Sequence, residues 1–148
     1  MSLCREDTDA VAYLATFRRT ADDVARAKRV ASRMLREAIN THYVCPESLA
    51  DFPASATGAE IRDLVGSHGL ALAAYELSSK GKAAVSKKVA MERNSAKGWS
   101  DKVRRNELDL TPLQRRAAGG SSGSVQRLAV VGDKPPRVDP EVFKAWAL

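Results

Sequence analysis

Val24–Tyr43 reads VARAKRVASRMLREAINTHY, and the fold turns on this stretch. At about 3.6 residues per turn it makes a helix of roughly five to six turns. Val24, Ala27, Ala31, Met34, Leu35, Ala38, Ile39 and His42 recur at the i, i+3, i+4, i+7 spacing that lines one helical face. Beside them runs a second stripe, Arg26, Arg29, Arg33 and Arg36, spaced 3, 4 and 3. One helix thus offers a core face and a cationic face. A charge stripe of this kind is either a solvated edge or a contact for an acidic surface.

The whole chain of 148 residues suits one domain, or a small domain with a long extension. Its residues are 44% apolar but include only eight aromatics, which points to a core of Ala, Val and Leu in close-packed helices. No run approaches the roughly 20 apolar residues that span a bilayer, so no membrane span is expected. The opening MSLCREDTDA is acidic and lacks an apolar stretch, unlike a secretory signal, and lacks the Arg-rich character of a cleaved transit peptide. Two cysteines, Cys4 and Cys45, stand far apart and outside any CxxC, which fits a reducing compartment.

Charge is unevenly placed. Residues 1–79 carry 9 basic and 11 acidic side chains, residues 80–105 carry 9 and 2, and residues 106–148 carry 6 and 5. The formal net charge of +6 therefore sits in one segment holding Lys80, Lys82, Lys87, Lys88, Arg93, Lys97, Lys102, Arg104 and Arg105. A block like this meets a polyanion or an acidic protein surface, or is a solvated helix.

Along the chain, Asp7 or Thr8 caps a first helix carrying Val11, Leu14, Ala15, Phe17 and Ala21. Thr20 and Asp23 have capping-box spacing, so two helices rather than one long one are expected over 8–43. Cys45-Pro46 stops the second, because the residue before proline is biased away from the helical region. Leu49 and Phe52 are apolar pegs in the loop that follows. Thr57-Gly-Ala-Glu60 reads as another capping box opening a third helix, with Ile61, Leu64, Val65, His68, Leu72 and Tyr75 on one side and Gly81 as C-cap. Gly66 and Gly69 inside it cost about 1 kcal/mol each relative to Ala, a cost usually met where another backbone comes close. A further helix is expected over 82–97, with Ala84, Val85, Val89 and Met91 as its apolar side. AAGGSSGS at 117–124 has linker composition. VQRLAVV at 125–131 reads as a lone strand, and Asp139-Pro140-Glu141 opens a last helical turn with Phe143 and Trp146.

Little in the chain suggests catalysis. His42 and Cys45 form an HxxC pair, but a structural zinc site takes four ligands and the other candidates, Cys4 and His68, are remote in sequence. No nucleophile with a base and an orienting group stands out. The glycines at 119–123 lack the Lys-Ser/Thr of a phosphate loop. A helix-turn-helix over 59–78 would put Arg62 or Val65 where a small residue is needed. Residues 80–105 with Trp99 offer RNA phosphate contacts and one stacking aromatic.

At this point the order of features resembles a known family. Leu35-Arg36-Glu37-Ala38-Ile39, Glu60-Ile61 with Leu64-Val65, and Tyr13-Leu14-Ala15-Thr16-Phe17-Arg18-Arg19 resemble the helices of the LYR-motif proteins, small three-helix mitochondrial adaptors and assembly factors. Tyr13-Leu14-Ala15 stands where the family carries Leu-Tyr-Arg, and the likeness covers residues 10–78. It implies a non-catalytic accessory subunit of a large assembly in the mitochondrial matrix, a respiratory complex or a ribosome-biogenesis intermediate. It also implies binding of acyl carrier protein through Arg18, Arg19, Arg29, Arg33 and Arg36. The chain would then have no cofactor of its own, only the acyl-phosphopantetheine of the bound partner.

The expected architecture is all-α: a three-helix antiparallel bundle at 1–79, a basic helical segment at 80–105, and an extended tail at 106–148 anchored on a neighbour by Phe143 and Trp146. Two other readings stay open, an RNA- or DNA-binding structural protein using Lys80–Arg105 and a helical viral assembly subunit.

Overall fold

Leu70, Ala71, Leu72, Ala73 and Ala74 are five consecutive buried residues in one helix, α3 (Ala56–Ser79). Over this stretch the helix is covered on every side, whereas its first half keeps Glu60, Arg62, Asp63 and Leu64 at the surface. The computed structural model describes residues 2–80 and 84–117. Before α3 come α1 (Thr8–Ala15), α2 (Ala21–Ile39) and a 3₁₀ turn at Leu49–Asp51, and after it comes α4 (Lys87–Arg104). Both α2 and α4 pack on α3, and α2 also meets α4. The protein is all-α, with no strand element among the described residues.

Each helix begins at a polar side chain that accepts the N–H of the third residue on, satisfying a donor the helix cannot. Asp7 accepts from Ala10 and Thr20 from Asp23. Ser55 accepts from Gly58 and Ser86 from Val89. Two helices therefore occupy 8–39, as the Thr20 spacing indicates, and Arg18 joins them at a positive φ of 54°. The cap of α3 is Ser55 rather than Thr57. Gly58 explains the shift: a Cβ there would lie 2.3 Å from the Pro53 carbonyl oxygen, so the chain folds back tightly just where the helix opens. Because α3 runs unbroken through Gly66 and Gly69, there is no helix-turn-helix turn. Gly81 lies outside the described residues.

On α2 the expected core face holds for Ala27, Ala31, Leu35, Ala38 and Ile39, with Val24 and Met34 partly buried against it. The helix ends at Ile39, short of Cys45. Thr41 and His42 close tight turns onto Ala38 and Ile39, and the Asn40 side chain accepts the Cys45 N–H at 3.0 Å. This turn drops Tyr43 fully into the core, where its hydroxyl accepts the Leu110 N–H at 3.1 Å. The Val44 N–H reaches the Gln114 carbonyl at 2.7 Å, and the His42 Nε2–H reaches that of Arg104 at 2.9 Å. Leu49 and Phe52 tuck inward as the loop reading expects.

The boundary expected at 79/80 is not where the packing ends. One compact unit spans Met1–Gln114; of the second, Arg115–Leu148, only residues 115–117 are described. The fourth helix starts at Lys87, not at 82, and buries Val89, Ala96, Trp99, Ser100 and Val103, while Met91 stays 60% exposed. Of the expected apolar side only Val89 is buried in this helix, because the helix runs on to Arg104 and completes its inner face with Trp99 and Val103. Leu110 and Leu113 also join the core, so 106–114 is not a free tail. The Gly/Ser stretch beyond Ala117, the expected strand at 125–131, and Phe143 and Trp146 lie outside the described residues.

The glycines of α3 receive a backbone. Residues 2–5 run across them with Leu3 and Cys4 buried to 0% and 1% exposure. The Leu3 N–H donates to buried Ser32 Oγ on α2 at 2.9 Å, and the Arg5 N–H donates to the Gly66 carbonyl at 3.2 Å. A Cβ on Gly69 would stand 2.5 Å from the Leu3 carbonyl oxygen. Complete burial of a leucine side chain is worth about 1.5–3 kcal/mol. That offsets the helix cost of the two glycines, about 1 kcal/mol each.

Candidate functional site

The cationic face of α2 is displayed by the core face behind it. With Ala27, Ala31 and Leu35 locked against α3, Arg26, Arg29 and Arg33 project into solvent. Arg26 Nη1 pairs with Asp23 Oδ1 at 3.1 Å, and this pair lies on the first turn of the helix. Asp23 has its carboxyl held below the usual range, first by the Thr20 hydroxyl and then by Arg26. Arg36 is committed further down, where its Nη2 donates to the Glu47 carbonyl at 2.9 Å. Arg29 and Arg33 make no ion pair or hydrogen bond among the described residues. They stand one turn apart on a rigid support and keep all of their donors for something else. Arg18 is exposed in the α1–α2 connection and Arg19 is half-exposed there. The five residues thus split into a helix pair, a connection pair and Arg36, which is anchored locally.

The basic helix is arranged differently. Its cations are spread around the exposed surface of α4, and many already have partners. Lys88 lies 3.9 Å from Glu92, Arg104 lies 3.3 Å from Asp101, and Arg105 lies 2.6 Å from Glu107. Arg93 covers the Tyr75 ring at 4.5 Å from its centroid, and Lys80 pairs with Glu76 at 3.2 Å. Lys87 and Lys97 are exposed without an ion pair among the described residues, and Lys102 accepts the Glu107 N–H on its carbonyl at 2.9 Å while its charge helps to lower the Glu107 carboxyl. Lys82 lies outside the described residues. Trp99, expected as a stacking surface for a base, is buried in the core with its ring against His68, centroids 5.3 Å apart. A base has no access to that face.

His42 and Cys45 are both engaged with backbone, His42 with Arg104 and Cys45 with the Pro46 carbonyl at 3.3 Å. Burial pushes the Cys45 thiol up to about 11, so it is a thiol at neutral pH and a poor metal ligand. No three His, Cys, Asp or Glu side chains gather to hold a metal ion among the described residues. Nor is any described helix long and apolar enough to cross a membrane.

One feature had no sequence signal beyond the small residues that make it. Between α1, α3 and α4 lies a cavity of about 460 Å³, with Ala10, Leu70 and Ala71 as its floor. Tyr13 and His68 line it, with Arg5 and Lys88 among its charged groups. Compared with known proteins, the chain matches no family model, no curated protein and no solved structure.

Proposed function

We propose that the protein is a non-catalytic adaptor that docks an acidic protein surface on the outer face of α2. The observation that carries this reading is the pair Arg29 and Arg33, exposed, one turn apart and unpaired among the described residues. Guanidinium groups prefer bidentate contact with carboxylates, and a helix anchored along its inner side presents two such forks at fixed spacing. Arg18 and Arg19 extend the same charge towards the α1–α2 connection. Acyl carrier protein is the acidic partner implied by the LYR resemblance, which also suggests the mitochondrial matrix and an accessory role in a larger assembly.

The test is co-purification with intact-mass detection. The wild-type chain should bring down an acidic protein bearing phosphopantetheine, and Arg29→Glu/Arg33→Glu should lose it while keeping wild-type helicity. Retention of every partner by the double variant would overturn the reading. The polyanion reading rests on Lys87, Lys97 and Lys102. It expects RNA binding that weakens steeply with salt, persists in the α2 double variant and is lost in Lys97→Glu/Lys102→Glu.

A further inference from the structure

The cavity between α1, α3 and α4 stands apart from the α2 face, and its chemistry is of another kind. Ala10 of α1 and Ala71 of α3 are small, buried residues in its lining, and with Leu70 they give it an apolar floor. Rings from two helices border that floor. Tyr13 on α1 meets Phe17 edge to face at 5.5 Å, and its hydroxyl reaches Glu92 Oε1 at 3.4 Å. His68 on α3 is backed by Trp99 and makes no hydrogen bond among the described residues, so its ring N–H is available. Burial lowers its pKa and so favours the neutral imidazole.

Charged donors complete the lining. The Lys88 ammonium lies 5.5 Å from the Tyr13 ring centroid, on a side chain 75% exposed and loosely paired at 3.9 Å with Glu92. An ion pair that long and that wet is worth little, so the ammonium is free to turn to a better acceptor. Arg5 ends the buried segment 2–5, its Nη2 bonded to Asp7 Oδ2 at 2.6 Å, leaving the rest of its fork unspent. Two acids, Asp9 and Glu92, also border the cavity and disfavour a multiply charged anion.

We infer that this cavity binds a small aromatic carboxylate, its ring lying on the alanine floor between Tyr13 and His68 and its carboxylate turned to Lys88 and Arg5. A singly charged, flat, half-apolar molecule matches both the small-residue floor and the mixed-charge lining. A concave site with an apolar base and few polar groups is the usual form of a small-molecule pocket.

Benzoate and its neutral isostere benzamide test this on the full chain, followed through the His68 ring and Trp99 indole proton resonances. Benzoate should move both saturably, and benzamide should bind about tenfold more weakly, the worth of one charge-assisted hydrogen bond. Lys88→Met, at an exposed site, should shrink that preference, Arg5 holding what remains, and leave the fold intact. Absence of a saturable benzoate shift, equal binding of benzamide, or an unchanged preference in Lys88→Met would each overturn the inference. Because Arg29 and Arg33 take no part, neither result depends on the adaptor reading.

Discussion

Gly69 and Gly98 sit inside helices and should respond oppositely to the same substitution. At Gly69 a methyl group would meet the Leu3–Cys4 backbone at 2.5–3.0 Å, so residues 2–5 must shift or leave. Gly69→Ala is expected to lose about 1–3 kcal/mol, the usual cost of overpacking. At Gly98 a Cβ meets nothing within 4 Å, so Gly98→Ala should gain about 0.5–1 kcal/mol from helix propensity alone. Urea unfolding of the two variants beside wild type checks both signs. Sequence alone indicates that Gly66 and Gly69 admit a backbone, but not which one. Nothing in the local pattern of Leu3-Cys4 distinguishes a buried strap from a frayed end. His68 gives a pH prediction. Its folded pKa lies below the ordinary 6.5 because burial disfavours the charged ring. The unfolded chain therefore binds the proton more readily, and stability falls as pH drops below about 6.5 until the folded pKa is passed. His68→Gln should flatten that slope in unfolding curves at pH 7.5 and 5.5. A wild-type slope unchanged by the substitution would contradict the assignment.

At the scale of elements, periodicity reveals the inner face of α2 because Ala27, Ala31, Leu35, Ala38 and Ile39 repeat along it without a break. It fails on α4, because a helix ended at residue 97 leaves Trp99 and Val103 off the face that Val89 and Ala96 begin, and Trp99 among charges resembles a surface anchor. The charge count misleads there for a related reason. A helix can be strongly basic and still belong to the core, since Val89, Ala96, Trp99 and Val103 occupy a single face. Two contacts hold the ends of this arrangement. Ser86→Ala removes the cap of α4 and should cost about 1 kcal/mol. Tyr43→Phe takes the acceptor from the buried Leu110 N–H and should cost about 1–3 kcal/mol. Thermal unfolding measures both. If 106–114 were a detached tail, Tyr43→Phe would leave the transition where it is.

Over the described residues, α2 and α4 pack on the buried side of α3, residues 2–5 fill the seam between α2 and α3, and 106–114 covers the end of α2. The outward result is a helix with two guanidinium groups, Arg29 and Arg33, uncommitted among the described residues. A surplus of partly paired cations surrounds α4. Net charge by segment points to the second region, whereas pairing points to the first, and pairing is invisible until the chain is folded. What the sequence supplies is the spacing of Arg29 and Arg33; what it lacks is the knowledge that Arg26 and Arg36 are already occupied. The most direct measurement is the affinity of the chain for acyl carrier protein, by calorimetry at low and at physiological salt. The expected result is saturable binding that weakens with salt, falls about tenfold or more in Arg29→Glu/Arg33→Glu, and is little changed in Lys97→Glu/Lys102→Glu. Equal loss in both double variants, or no loss in the first, would contradict it.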